Sequence, residues 1–203
     1  MKIHIIRHTE SEANTKKILA GQLDYPLSEK GKQDAKKVAS WYTSHFNPTI
    51  IYCSPLLRAK QTAAPFREAE AIPLIEDVRL MEHNLGIYQG MTYEEAEADS
   101  TYQQDRLKRW DWHITKGESY KDIAERIRSF FIDLDPQGPD TLIVTHAVAM
   151  RLMRGLLENT LPVYPGHIPD NGEIWELDFQ GVGVKHEIRS LFIDNLSYDG
   201  HRA

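Results

Sequence analysis

Residues 3–14 read Ile3-His4-Ile5-Ile6-Arg7-His8-Thr9-Glu10-Ser11-Glu12-Ala13-Asn14. The short β-branched run from Ile3 to Ile6 has the length and composition of a buried strand, so Arg7 and His8 fall at its carboxyl end. In an open parallel sheet, ligands bind in the crevice beyond those ends. An imidazole there with a guanidinium beside it suggests a nucleophile set to meet a phosphate.

Working outward, strands and helices alternate. Ser28 is a good N-cap for a helix with Ala35, Val38, Ala39, Tyr42 and Phe46 on its apolar positions. Thr49 to Cys53 reads as a second buried strand. Ser54-Pro55 supplies an N-cap and a first-turn proline for a helix from Leu56, which Pro65 should kink or shorten. Pro73 to Val78 is a weaker third strand, and residues 88 to 118 form a short insertion rich in charge and aromatics. Ser119 caps an amphipathic helix with Tyr120, Ile123, Ala124, Ile127, Phe130, Phe131 and Leu134 on one face.

After the turn Asp135-Pro136-Gln137-Gly138-Pro139, Thr141 to Thr145 is the most strand-like segment, and His146 ends it. A helix follows from about Ala147 to Leu157. Glu173 to Phe179 and Val184 to Leu191 read as late strands joined by Gln180-Gly181. The alternation implies an α/β fold, a three-layer α/β/α sandwich around a mostly parallel central sheet, spanning residues 1–203 as one domain.

Bulk properties narrow the function. The 203 residues are 41% hydrophobic, enough for one substantial core but hardly two. A net charge of -6 argues against a general nucleic-acid binder, although local positive charge can still hold an anion. The lone cysteine, Cys53, permits no intramolecular disulfide. Without a leader-like or membrane-spanning stretch, a soluble, cytoplasmic protein is expected, with no membrane partner.

Three polar groups recur at strand ends: Arg7-His8, Ser54 to Arg58, and Thr145-His146. Glu82 lies just beyond the third strand. If the strands are parallel, all four meet on one edge of the sheet. Arg7 and Arg58 suit the nonbridging oxygens of a phosphate monoester. His146, if protonated, would add a cationic donor, and the helix start after it would aim N–H groups at the anion. Neutral His8 would attack phosphorus, and Glu82 would give the leaving alkoxide a proton and later activate water. Taken singly, each has a plainer explanation, such as a hydrogen-bonded histidine or a solvated arginine. Their shared placement at strand ends is what raises the set above those explanations.

The segment Arg7-His8-Thr9-Glu10-Ser11-Glu12-Ala13-Asn14 resembles the signature of the histidine phosphatase superfamily, which includes the cofactor-dependent phosphoglycerate mutases. The likeness continues through Gly21-Gln22, Ser28 and Gly31, then Ser54-Pro55, Arg58-Ala59 and Gln61-Thr62-Ala63. Glu82, Gly86, Tyr88, Gly90, Gly117-Glu118-Ser119 and Thr145-His146 complete it. It implies a phosphoglycerate mutase-like fold, His8 as phospho-acceptor, Glu82 as proton donor, and Arg7, Asn14, Arg58 and His146 as the phosphate pocket. Gly21, Gln22, Ala147, Arg106 and Arg109 are the expected substrate-binding residues. No metal and no cofactor are implied, and a homodimer would be unsurprising. The family usually has glycine after each histidine, where this chain has Thr9 and Ala147. Both are small enough to keep their backbone N–H groups available.

Other chemistries fit less well. Cys53 and Arg58 stand one residue too close for a cysteine phosphatase loop. Asp133-Leu134-Asp135 ends an amphipathic helix instead of following a buried strand. The nine histidines lack metal-ligand spacing, and no Gly-x-Ser-x-Gly elbow occurs. The expected activity is a metal-independent phosphatase acting on a small phosphorylated metabolite through phospho-His8. The rivals are a cofactor-dependent phosphoglycerate mutase and a non-catalytic phosphate-binding module. Retention of Arg7, His8, Arg58, Glu82 and His146 counts against the last. The short 88 to 118 segment favours water access, and so hydrolysis over mutase action.

Overall fold

In the computed structural model, which describes residues 1–193 and 196, six strands form one sheet in the order β3-β2-β4-β1-β5-β6. They are β1 (Lys2–Arg7), β2 (Ile50–Cys53), β3 (Leu74–Glu76), β4 (Thr141–Thr145), β5 (Ile174–Asp178) and β6 (Arg189–Leu191). The four strands from β3 to β1 pair in parallel, while β5 and β6 are added antiparallel. The α-helices of the described residues are α1 (Glu12–Thr15), α2 (Glu29–Thr43), α3 (Leu57–Glu70), α4 (Tyr93–Glu97), α5 (Tyr120–Ile132) and α6 (Ala147–Leu157).

Period-two alternation along the strands builds two cores. Ile3, Ile5, Tyr52, Ile143 and Trp175 pack with α5 and α6, whereas Ile6, Ile51, Cys53, Val144 and Ile174 pack with α2 and α3. The sheet is therefore the middle of three layers, as the alternation of elements predicts. A smaller cluster of Leu19, Leu85, Tyr88, Ala96, Tyr102 and Ile114, with Trp112 against it, gives the 88–118 region its own apolar centre. Among the described residues, no helix is long and apolar enough to cross a membrane.

Local signals hold at two helices and fail at a third. Ser28 accepts from the Gly31 N–H, and Ser119 forms a capping box with Asp122. Helix α3 instead begins at Leu57, with Leu56 as an N-cap lacking a side-chain hydrogen bond. Its Leu57 N–H donates to Asp24 Oδ1 at 2.8 Å, so a distant loop satisfies the helix end. Ser54 Oγ accepts from the Leu56 N–H at 3.3 Å, just ahead of the helix.

Pro65 does not shorten α3, which runs on to Glu70. Proline removes only its own N–H, and Ala59, Ala63 and Phe66 remain buried against the sheet and α2. The third strand contracts to Leu74–Glu76, and Val78–Leu80 turns into a 3-10 helix capped by Asp77. Val184 to Ile188 is loop, leaving only Arg189–Leu191 as β6. The single cysteine is fully buried, and burial pushes its thiol up to about 12, so Cys53 packs as an apolar group. Asp133 pairs with Arg79 at the exposed end of α5.

Candidate active site

The register of the two central parallel strands sets the site. Arg7 lies opposite Thr145, so the next residues, His8 and His146, emerge side by side at the carboxyl edge. Their ring centroids are 5.2 Å apart, close to the spacing of neighbouring strands. On the other side of β4, Cys53 pairs with Val144, which brings Ser54 beside His146. The Ser54 hydroxyl and His146 Nε2 are 2.7 Å apart. Sequence placed Ser54 as a cap; the fold makes it the partner of an imidazole.

His8 is buried, and its Nδ1 lies 2.7 Å from the Thr9 carbonyl. A carbonyl only accepts, so Nδ1 carries the proton and Nε2 presents a lone pair. Burial first, then the Arg58 and Arg7 charges, hold the His8 pKa well below the usual histidine range. His146 is pushed down likewise by burial and then Arg58, which corrects the expectation of a cationic donor there. In the resting site both imidazoles are neutral.

The two guanidiniums are buried without a carboxylate partner among the described residues. Arg7 Nη1 donates to the Pro169 carbonyl at 2.6 Å, and its Nε has no partner. Arg58 donates to the carbonyls of Leu23 and Gly21 at 2.9 and 2.7 Å, and burial lowers its pKa to about 10. Gly21 reaches this position with φ near +50°, a conformation that favours glycine. His146 Nδ1 is also buried without a partner. Orphaned polar atoms are rare in folded interiors, and two of them converge here.

Glu82 stands across the site. Its Oε1 accepts from the His83 and Ala149 N–H groups at 2.9 and 3.3 Å, and its Oε2 from Val148 at 3.2 Å. The first turn of α6 therefore points its N–H groups at this carboxylate, where the sequence reading aimed them at phosphate. The loop is anchored from several sides. Thr145 Oγ1 donates to the Leu80 carbonyl at 2.7 Å, and Gln22 Nε2 donates to the Glu82 carbonyl at 2.9 Å. Arg126 donates to that same carbonyl at 3.1 Å while paired with Glu118.

The remaining expected residues divide. Asn14 lies nearby, its Oδ1 accepting from the Ser11 N–H at 2.9 Å and from the Asn171 amide at 3.4 Å. Gly21 and Gln22 brace Arg58 and Glu82. The Thr9 N–H is not free, since it donates to Thr62 Oγ1 at 3.1 Å, which corrects the expectation that it stayed available. Thr9 Oγ1 also donates to the Gly31 carbonyl at 2.8 Å, where α2 comes so close that a Cβ on Gly31 would lie 1.9 Å from the Glu10 oxygen. Ala147 opens α6 directly behind His146. Arg106 and Arg109 lie in a neighbouring cleft, not among these groups.

Sequence reasoning did not foresee Arg126, the hydrogen bonds made by Thr62 and Asn171, or the second role of Ser54. Asn171 donates to the His8 carbonyl at 2.9 Å, and its loop also supplies the Pro169 carbonyl. Only the loop's proximity in the fold shows this, because no local pattern marks it. Among the described residues, no group of three or more His, Cys, Asp or Glu side chains is disposed to hold a metal ion.

Known proteins resemble this chain in sequence and fold. The model of the histidine phosphatase superfamily (branch 1) matches residues 3–189. Phosphoserine phosphatase 1 of Hydrogenobacter thermophilus is 33% identical over 160 residues, covering 75% of this chain and 74% of that protein. A probable phosphoglycerate mutase of Escherichia coli is 31% identical over 160 residues, covering 74% and 71%. A solved mycobacterial glucosyl-3-phosphoglycerate phosphatase, in complex with VO3, has a TM-score of 0.83 at 26% identity and covers 93% of this chain and 96% of its own. With a family match across nearly the whole chain and the sandwich fold in common, this protein belongs to the histidine phosphatase superfamily.

Proposed function

We propose that the protein is a phosphatase of small phosphate monoesters that works through a phosphohistidine on His8. The observation that carries this reading is the state of His8: its Nδ1 lies against the Thr9 carbonyl, and burial first, then the two guanidinium charges, favours the neutral ring. A neutral Nε2 lone pair next to paired cations is what in-line attack on a phosphoryl group requires.

In the first half-reaction, an N–P bond forms at His8 Nε2 as the ester P–O bond breaks. Glu82 passes a proton to the departing oxygen. In the second, water attacks the phosphohistidine, Glu82 takes a proton from it, and inorganic phosphate leaves with His8 restored. Arg7, Arg58 and His146 bind the nonbridging oxygens, with Asn14 at their edge. Each carbonyl bond made by an arginine aligns its other N–H groups, so little reorganisation accompanies transfer.

The phosphatase names among the relatives and the short 88–118 segment support hydrolysis over mutase action. Acid-quench labelling with a radioactive phosphomonoester tests the nucleophile, with label expected on His8 and none in His8→Ala; label on Cys53 or an aspartate rejects the mechanism. Glu82→Gln should slow alkyl phosphates at least ~100-fold and p-nitrophenyl phosphate far less, given typical general-acid contributions. Equal losses remove the proton-donor role. The resemblance to a probable mutase is addressed by one assay: 3-phosphoglycerate with a trace of its 2,3-bisphosphate, scored for isomer against free phosphate.

A further inference from the structure

Glu173 buries a carboxylate to which the phosphatase reading gives no task. The residue is 3% exposed and stands just ahead of β5. Its two oxygens serve different segments. Oε1 accepts from the Trp175 indole N–H at 2.6 Å and from the Ser190 hydroxyl at 3.1 Å, on the antiparallel strands β5 and β6. Oε2 accepts from the Asp170 N–H at 2.7 Å and lies 3.3 Å from His167 Nε2, both in the preceding loop. Among the described residues its ion-pair partner is His167, whose side chain is 47% exposed. A half-solvated imidazole returns little of what burying a carboxylate costs, so stability alone does not account for Glu173.

The loop it holds runs into the phosphate site. The Asp170 N–H bound by Glu173 and the Pro169 carbonyl bound by Arg7 Nη1 are the two ends of one peptide group. That group is planar, so fixing its N–H fixes its carbonyl, and a hydrogen-bonded chain runs from carboxylate through peptide to guanidinium. The main chain closes the same circuit. The Arg7 N–H donates to the Glu173 carbonyl at 3.1 Å, and the Gly172 N–H donates to the Arg7 carbonyl at 3.1 Å. Gly172 makes this approach with φ near +81°, a conformation that favours glycine. With Nη1 anchored and Nε unpartnered, the Nε edge of the Arg7 fork is left for an anion. The carboxylate is also felt as charge: burial lowers the Arg7 pKa, and Glu82, then Tyr93, Asp170 and Glu173, act against it.

We propose that Glu173 is a positioning residue of the phosphate site: through the Pro169–Asp170 peptide it fixes the Arg7 guanidinium in the attitude that grips a phosphoryl group. It touches no substrate and acts through Arg7. The role rests on the anion lying against Arg7, as in the phosphatase reading, but it concerns binding and is measured apart from turnover.

The test is a double-mutant cycle on orthovanadate affinity, read by titration calorimetry. Glu173→Met keeps the length of the side chain and accepts no hydrogen bond from the loop. It should weaken vanadate binding about tenfold, the order of one charge-assisted hydrogen bond. In the Arg7→Met background no guanidinium is left to align, so adding Glu173→Met should change the affinity by less than about twofold. Looser packing of the whole site would instead weaken binding equally in both backgrounds. Should Glu173→Met fail to fold, Glu173→Met with Trp175→Phe removes the carboxylate together with the buried indole N–H it would strand, and carries the same cycle. Unchanged affinity in a folded Glu173 variant, or an equal loss with and without Arg7, overturns the positioning role. Wild-type protein that binds vanadate yet releases phosphate from no ester rejects the phosphatase reading alone, because the cycle is read by binding.

Discussion

The Arg7 and Arg58 guanidiniums have two effects on His8: they surround it with donors suited to phosphate, and they keep it from protonating. Burial comes first, with Arg58 next. Replacing Arg58 by Met removes a lowering influence, so the His8 pKa should rise toward the ordinary value by about one unit, the smaller end of what a nearby charge produces. An NMR titration of the His8 ring would show this; an unchanged midpoint would mean that burial alone sets it. The acid limb of kcat/KM in the wild-type enzyme should accordingly fall well below pH 6.5, since His8 has to be neutral to attack. Ser54 illustrates a side chain whose role depends on its neighbour. Its place after a strand and before a proline suggests a cap, yet its hydroxyl meets His146 across the strand order.

Elements show where local chemistry suffices and where it does not. Ser28 and Ser119 cap their helices as their sequence positions predict, with the capping-box partner of Ser119 three residues on at Asp122. Helix α3 takes its cap from Asp24, which no pattern within 54–58 reveals. Ser119→Ala and Asp24→Ala should each lower stability by about 1 kcal/mol, typical of a lost N-cap, in urea unfolding followed by circular dichroism. Ser54→Ala should cost less stability than either but lower turnover, because its hydrogen bond orients His146. If Asp24→Ala were neutral, the long-range cap would be ruled out. The interface of α2 with α3 is held by Tyr42 and Phe66, whose rings are 5.5 Å apart. Phe66→Ala should cost about 3–5 kcal/mol, the range for a fully buried phenylalanine. Pro65 is tolerated one residue earlier because that burial outweighs one missing N–H.

At the scale of the whole molecule, burial keeps His4, His8, His83 and His146 below their unfolded pKa. The unfolded chain binds more protons than the native one as soon as pH drops below about 6.5. Stability from these residues is thus fully present above that pH and is lost as pH falls toward the native values. Calorimetry between pH 7.5 and 5 should show a falling Tm, and a flat profile would contradict the four neutral histidines. Phosphate or vanadate should raise Tm by mass action, about 2.7 kcal/mol at a ligand concentration 100 times Kd. That gain should shrink in Arg58→Met if the anion sits where proposed.

The alternation of apolar strands and capped amphipathic helices was enough to determine the sandwich, because each face it must bury is written in the local period of two or 3.6. The same alternation put Arg7, His8, Arg58 and His146 at strand or helix ends, so the members of the candidate site were legible before their arrangement was. Tertiary structure alone decided that β4 inserts between β1 and β2, which sets His8 against His146 and Ser54 within reach of His146. It also turned the start of α6 toward Glu82, tied the Thr9 N–H to Thr62, and drew Arg151 beside Arg109. Partners far apart in the chain are chosen by strand order and by the satisfaction of buried polar groups. Neither is a property of any one segment.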